Sequence, residues 1–287
     1  VRIAESSGVF DSIWVGDHLE HVFGGPMLDG MALLSALAAR TSRIRLGVLV
    51  ASVTLRHPAV IARTALTIDA VSKGRFVLGL GAGADRREHS AYGIPFPRRA
   101  EHLGRLQEAV SFCKQFFSGD RVDLTGDYYQ IRTATADPPP IHPRGPAIIV
   151  GGKSLAAVRI AAEGADGLNL TYPSVALLDD RFRLLDAMAR QHGRSPSEVR
   201  KSVMTAMVTA PTSEGLERVA TAFRVRRSMS HDRFAETVIS GDVAAVRTRV
   251  GLLEAHGVDE LYVGLPAPYE RENVERAADV LASWAFS

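Results

Sequence analysis

The chain holds 287 residues, 46% of them apolar and 23% charged, with 34 Lys and Arg against 32 Asp and Glu for a formal net charge of +2. Arginines scattered along the chain rather than gathered in a block point to neither nucleic acid nor a membrane surface as a partner. The lone Cys113 excludes a disulfide framework and a thiolate metal site and makes a reducing cytoplasm the expected setting, while no apolar run approaches the about 20 residues of a membrane span.

Strands and helices are predicted to alternate from end to end. Strand-like runs lie at Ser12 to Gly16, Ile44 to Val50, Phe76 to Leu80, Ala147 to Val150, Gly167 to Leu170, Ser202 to Val208 and Glu260 to Gly264. Between them come amphipathic helices at Leu28 to Arg40, Pro58 to Val71, Arg98 to Phe117, Leu155 to Glu163, Val175 to His192, Asp242 to His256 and Asn273 to Trp284. The Val, Ile and Leu runs are too short for helices and read as strands buried on both faces, the signature of a parallel sheet. The chain opens on the helix that should follow a first strand. The expectation is therefore a single domain over 1–287, an eight-stranded (β/α)8 TIM barrel with insertions whose first strand precedes Val1.

Two segments interrupt the alternation. Ser118 to Pro146 holds a hairpin-like Asp123-Leu-Thr-Gly-Asp-Tyr-Tyr-Gln-Ile131 and then a proline-rich Asp137-Pro-Pro-Pro-Ile-His-Pro143, an extended excursion expected over the barrel mouth. Pro211 to Ser240 is polar and rich in arginine, with no clean period around Arg226, and reads as a mobile lid or a place where residues have been lost. The substrate walls are expected from Tyr128, Tyr129 and this second stretch.

Chemistry in such a barrel belongs at the C-terminal ends of the strands. There the first run ends in Trp14-Val-Gly-Asp-His-Leu-Glu-His21, for which three readings stand. His18 and His21 with Asp17 or Glu20 would make a metal site, though no second histidine cluster completes it. Asp17 and His18 could simply satisfy loop amides. His18 could instead transfer a proton or touch a cofactor, because an imidazole titrates near neutrality; this reading carries the most weight. In Ser72-Lys-Gly-Arg-Phe-Val-Leu-Gly-Leu-Gly-Ala-Gly83 the glycines gather at the strand's C-terminal end, where a flat ligand could lie against backbone. Gly151-Gly-Lys-Ser154 opens a helix immediately after a strand, so its exposed amides offer an anion pocket to which Lys153 could add charge. Arg56 and His57, ahead of a helix-starting Pro58, read as rim packing or capping groups.

Taken together these residues resemble the bacterial luciferase-like oxidoreductase superfamily, in particular its actinobacterial branch that uses the deazaflavin coenzyme F420. The resemblance covers nearly the whole chain. It is carried by Phe10-Asp-Ser-Ile-Trp-Val-Gly-Asp-His18, Gly25-Pro-Met-Leu-Asp-Gly30, Ala39-Arg-Thr-Ser-Arg-Ile-Arg-Leu-Gly47, Arg56-His-Pro58, Gly74 to Gly83 and Ser118-Gly-Asp-Arg-Val-Asp-Leu-Thr-Gly-Asp-Tyr-Tyr129. It implies a cofactor ring over the strand ends, contacted by Asp17, with His18 beside it as proton acceptor or polarising group. Leu49 and Val50 match a strand where the family often has a non-proline cis peptide under the ring. Gly81 and Gly83 match the floor near the reactive edge, Gly151, Gly152 and Lys153 the phosphate-binding turn, and Asn169 and Thr171 further cofactor contacts.

One departure bears on the substrate. The family's sugar-phosphate dehydrogenases carry a catalytic glutamate directly after the second glycine of Gly-x-Gly, where this chain has Ala84, and an aromatic residue where it has Val22. The resemblance thus favours a hydride-transferring F420 oxidoreductase acting on a small organic substrate other than a sugar phosphate. An FMN-dependent monooxygenase on the same barrel, or a barrel that binds cofactor without turnover, are the alternatives. Family members commonly dimerise through helices flanking the early strands. Leu33, Leu34, Leu37, Ile61 and Leu66 supply apolar content for a homodimer, or else for covering the barrel.

Overall fold

The structure, a computed structural model, describes residues 1–20, 27–266 and 271–282. The expectations placed on His21, Val22, Gly25, Pro26 and Trp284 lie outside them.

The chain runs α1 (Arg2–Ser7), β1 (Ser12–Val15), α2 (Gly30–Arg40), β2 (Arg45–Ser52), α3 (Pro58–Ser72), β3 (Phe76–Gly81), α4 (Arg86–Ala91) and α5 (Arg99–Phe117). The first excursion follows as β4 (Val122–Thr125) and β5 (Gln130–Ala134), an antiparallel pair, as the hairpin reading expects. Then come β6 (Ala147–Gly151), α6 (Leu155–Gly164), β7 (Gly167–Thr171), α7 (Val175–Gln191), β8 (Arg200–Val208), α8 (Ser213–Arg226), α9 (His231–Thr237), β9 (Ile239–Ser240), α10 (Val243–Ala255), β10 (Glu260–Gly264) and α11 (Arg271–Leu281).

The main sheet has eight strands, ordered β1-β2-β3-β6-β7-β8-β10, with the short β9 added on β8. Every pairing in it is parallel, and helices cover its outer face. This is a β/α barrel wall, and all its strand C-termini open at one end. Among the described residues, β1 and β10 form the sheet's two edges, with Trp14 and Tyr262 from those strands meeting at a ring-centroid distance of 4.3 Å. β3 is buried along its whole length, which explains why its sequence shows no alternation. Leu34, Ile61 and Leu66 are buried in the core of this chain, so these members of the candidate dimer face cover the barrel instead. No helix among the described residues is long and apolar enough to cross a membrane.

The Pro211 to Ser240 stretch, read as lacking a clean period, forms α8 and α9, capped by Thr212 and Ser230, whose hydroxyls accept hydrogen bonds from the Gly215 and Arg233 amides. Ala220, Phe223, Phe234 and Val238 pack there with Tyr172, Ala206 and Val208 as a second, smaller core. The helical period was hidden because arginines occupy so much of α8's outer face, including Arg224 and Arg226 in its last turn.

Candidate active site

At the C-terminal end of β1, Asp17 turns inward. Its carboxylate is 2% exposed and accepts from Arg56 Nε at 3.0 Å and 3.2 Å and from Nη2 at 2.9 Å. The same guanidinium donates to Asp29 Oδ2 at 2.5 Å, and Asp29 in turn caps α2 by accepting from the Ala32 amide. Two carboxylates hold the Arg56 proton more firmly than usual, and burial of one of them is tolerable only because it is paired. The reading of Arg56 as a rim residue therefore holds for position and understates its role. His57 caps α3, its Nδ1 accepting from the Ala59 amide at 3.2 Å.

His18, the next residue, is about one-third exposed, and its Nδ1 lies 3.3 Å from Glu88 Oε2. Glu88 and His89 come from α4 and are both buried. Glu88 Oε1 accepts from the Leu19 amide and, at 3.3 Å, from the Glu20 amide. His89 Nδ1 faces the Asp85 carbonyl at 2.8 Å and Nε2 faces Thr54 Oγ1 at 3.0 Å, which is 2.9 Å from Ser52 Oγ. A short polar helix without hydrophobic period gave no sequence signal that two adjacent residues would be buried. Among the described residues no group of three or more His, Cys, Asp or Glu could hold a metal ion.

The floor beside these groups is low and apolar. The Leu49–Val50 peptide is cis, and the β2–β3 register shifts between Val48 and Ala51. The Val50 side chain fills the space that Cβ atoms on Gly81 and Gly151 would need; at Gly151 such an atom would lie 2.7 Å from Val50 Cγ1. Gly83 has φ +77, and a Cβ there would also meet Ser52 Oγ at 2.8 Å and press on Thr54. Val50 explains why glycine stands at Gly81 and Gly151.

β6, beside β3, ends in Gly151; Gly152 follows, and Ser154 caps α6 by accepting from the Ala157 amide at 3.1 Å. A Cβ on Gly152 would crowd Ala157 at 2.8 Å, so the close turn needs glycine. Lys153 is exposed, and its ammonium is pushed down by partial burial and by nearby Arg233. Arg233 is itself held by the Tyr172 carbonyl at 2.6 Å. Two neighbouring cations beside a helix N-terminus favour an anion. Asn169 lies fully buried, donating to Ser202 Oγ at 3.0 Å, and Thr171 reaches its Oδ1 at 3.4 Å. Tyr129 is buried as well, donating to the Val53 carbonyl at 3.0 Å; it braces the β2 end where the sequence suggested a substrate wall.

At one mouth of this parallel β/α barrel stand His18, the glycines around Val50 and the Gly152 turn. The luciferase-like monooxygenase family model matches residues 1–279, and the chain belongs to that family. It is 38% identical over 168 residues to an F420-dependent glucose-6-phosphate dehydrogenase of Kineococcus radiotolerans, an alignment covering 57% of this chain and 48% of that protein. The chain spans about half the length of the curated relatives it matches. In fold it is similar to the coenzyme F420-dependent tetrahydromethanopterin reductase of Methanopyrus kandleri, with a TM-score of 0.82 at 20% identity over 98% of this chain and 92% of that one. It is also similar to the oxygenating constituent of the 3,6-diketocamphane monooxygenase of Pseudomonas putida, solved with FMN, with a TM-score of 0.76 at 17% identity over 99% and 90%.

Proposed function

We propose that this chain is a coenzyme F420-dependent oxidoreductase that transfers a hydride between the deazaflavin and a small organic substrate. The observation that carries the reading is His18, partly exposed at the C-terminal end of β1, on the same barrel mouth as the glycine floor around Val50. The residues present fit the cofactor. A flat ring needs a low apolar floor, which the Val50 side chain seated over Gly81 and Gly151 offers. Its phosphate needs positive charge and amides, which Lys153, Arg233 and the Gly152 turn supply. Similarity to the Kineococcus radiotolerans dehydrogenase supports the choice of F420.

When bound, the deazaflavin would supply the hydride chemistry. His18 takes or returns the accompanying proton. Asp17 holds Arg56, which ties the β1 loop to α2, and so helps to orient the loop carrying His18. Ala84, exposed where a carboxylate would otherwise stand, leaves the mouth without that acid. Asp85 caps α4, accepting from Arg87 at 2.8 Å. The substrate class is accordingly a small organic molecule other than a sugar phosphate. The buried Cys113, its thiol pushed up to about 12 by burial, suits a cytoplasmic setting, and exposed Leu28, just ahead of α2, and Val60 on α3 support a homodimer.

The second reading is an FMN-dependent two-component monooxygenase, favoured by the FMN-bound fold neighbour. Fluorescence-quenching titrations with F420 and with FMN separate them. Micromolar binding of F420 with much weaker FMN binding is expected; preference for FMN with substrate-dependent oxygen consumption would overturn the assignment.

A further inference from the structure

We propose that Glu88 is a positioning residue that locks His18 in one tautomer, with the proton on Nδ1 and the accepting lone pair on Nε2. The inference rests on how the carboxylate is spent. Glu88 is 3% exposed, and Oε1 already accepts the Leu19 and Glu20 backbone N–H groups. Tyr92, one turn further along at the end of α4, donates its hydroxyl to the Leu19 carbonyl at 2.9 Å and fastens the same loop a second time. A carboxylate offers only acceptors, so the atom facing it from His18 at 3.3 Å has to be a donor. A neutral imidazole has one donor and one acceptor, and Nδ1 is the donor. The carboxylate thus does for His18 what a buried carboxylate does for the imidazole of a catalytic triad, fixing the ring's orientation and leaving the opposite nitrogen basic. Within the proposed function, the imidazole so oriented is the one that handles the proton. The tautomer itself does not depend on which cofactor binds.

Glu88→Gln makes the inference sharp. The two backbone amides still demand an oxygen, so the side-chain oxygen stays with Leu19 and Glu20, and the amide NH2 group turns to His18. Nδ1 must then accept, and the proton moves to Nε2. The test is two-dimensional 15N–1H correlation of histidine-labelled protein without cofactor, at a pH where the ring is neutral, with the His18 signal assigned by its loss in His18→Gln. The expected result is the Nδ1–H pattern in the wild type and the Nε2–H pattern in Glu88→Gln. An Nε2–H pattern in the wild type, or an unchanged pattern in folded Glu88→Gln, would overturn it. The wild-type spectrum decides the first point without any variant. Failure of the F420 assignment would register instead in the cofactor titrations.

Discussion

Arg56 grips Asp17 through three hydrogen bonds of 2.9 to 3.2 Å and reaches on to Asp29, so one guanidinium joins the end of β1, the start of α2 and the turn after β2. Removing it strands a carboxylate that is 2% exposed. Loss of one partner of such a pair costs about 3–5 kcal/mol. Arg56→Ala is expected near the lower figure, since the guanidinium is itself partly exposed, and urea unfolding with a matched Asp17→Asn/Arg56→Ala double variant measures it. A loss below about 1 kcal/mol would mean that water already reaches Asp17.

Asp69 on α3 is a buried acid of the opposite kind. It is 1% exposed, without a hydrogen-bond partner at normal distance, and burial raises its pKa despite the Ile141 and Phe76 amides and His142 nearby. A carboxyl whose folded pKa lies above its unfolded value of about 3.9 stabilises the fold at low pH and loses that contribution as pH rises through the folded value. Asp69→Asn should therefore be more stable than the wild type at pH 7.5, with the gap closing towards pH 4.5. Denaturation at both values checks the sign.

His57 titrates the other way. Burial lowers its pKa, and its neutral Nδ1 caps α3. A histidine with a depressed folded pKa contributes full stability above its unfolded value of about 6.5 and loses it as pH falls towards the folded value. Asn keeps an acceptor at the cap without titrating. The melting temperature of His57→Asn relative to the wild type should rise steadily from pH 7 to pH 5; a constant difference would remove His57 from the acid sensitivity.

The barrel and its hairpin were legible because they rest on period and turn chemistry, which a single sequence displays. Pro211 to Ser240 was not, because the exposed arginines on α8 outweigh Phe223 as a pattern. At the site, His18 could be singled out from its residue type and its place at a strand end. The groups that govern it could not, since Glu88 reaches it across 70 positions of sequence and Arg56 reaches Asp17 across 39. Those distances close only when neighbouring strands of a parallel sheet bring their ends together.

Gly83→Ala forces an L residue to φ +77 and puts its methyl group against Ser52 and Thr54. The left-handed conformation alone costs about 1–2 kcal/mol. A lower melting temperature together with weaker F420 binding is expected, whereas unchanged binding would separate this turn from the ring site.

Lys153→Ala should leave the melting temperature nearly unchanged, since the side chain is exposed, and weaken F420 binding about tenfold, equivalent to about 1.4 kcal/mol. The loss should shrink at high salt because it is a charge contact. Equal loss with a phosphate-free deazaflavin would place Lys153 elsewhere on the cofactor.

The small second core gives the molecule a seam. α8 and α9 gather around their own cluster of Phe223, Phe234 and Val238 and join the sheet through a two-residue strand, Ile239 and Ser240, laid against the end of β8. Such a unit can open without unravelling the barrel, and its amides should exchange with solvent well before those of β2, β3 or β6. Arg233 belongs to this unit. Anion capture at the mouth would tighten it, coupling ligand binding to local folding rather than to the global stability of the barrel.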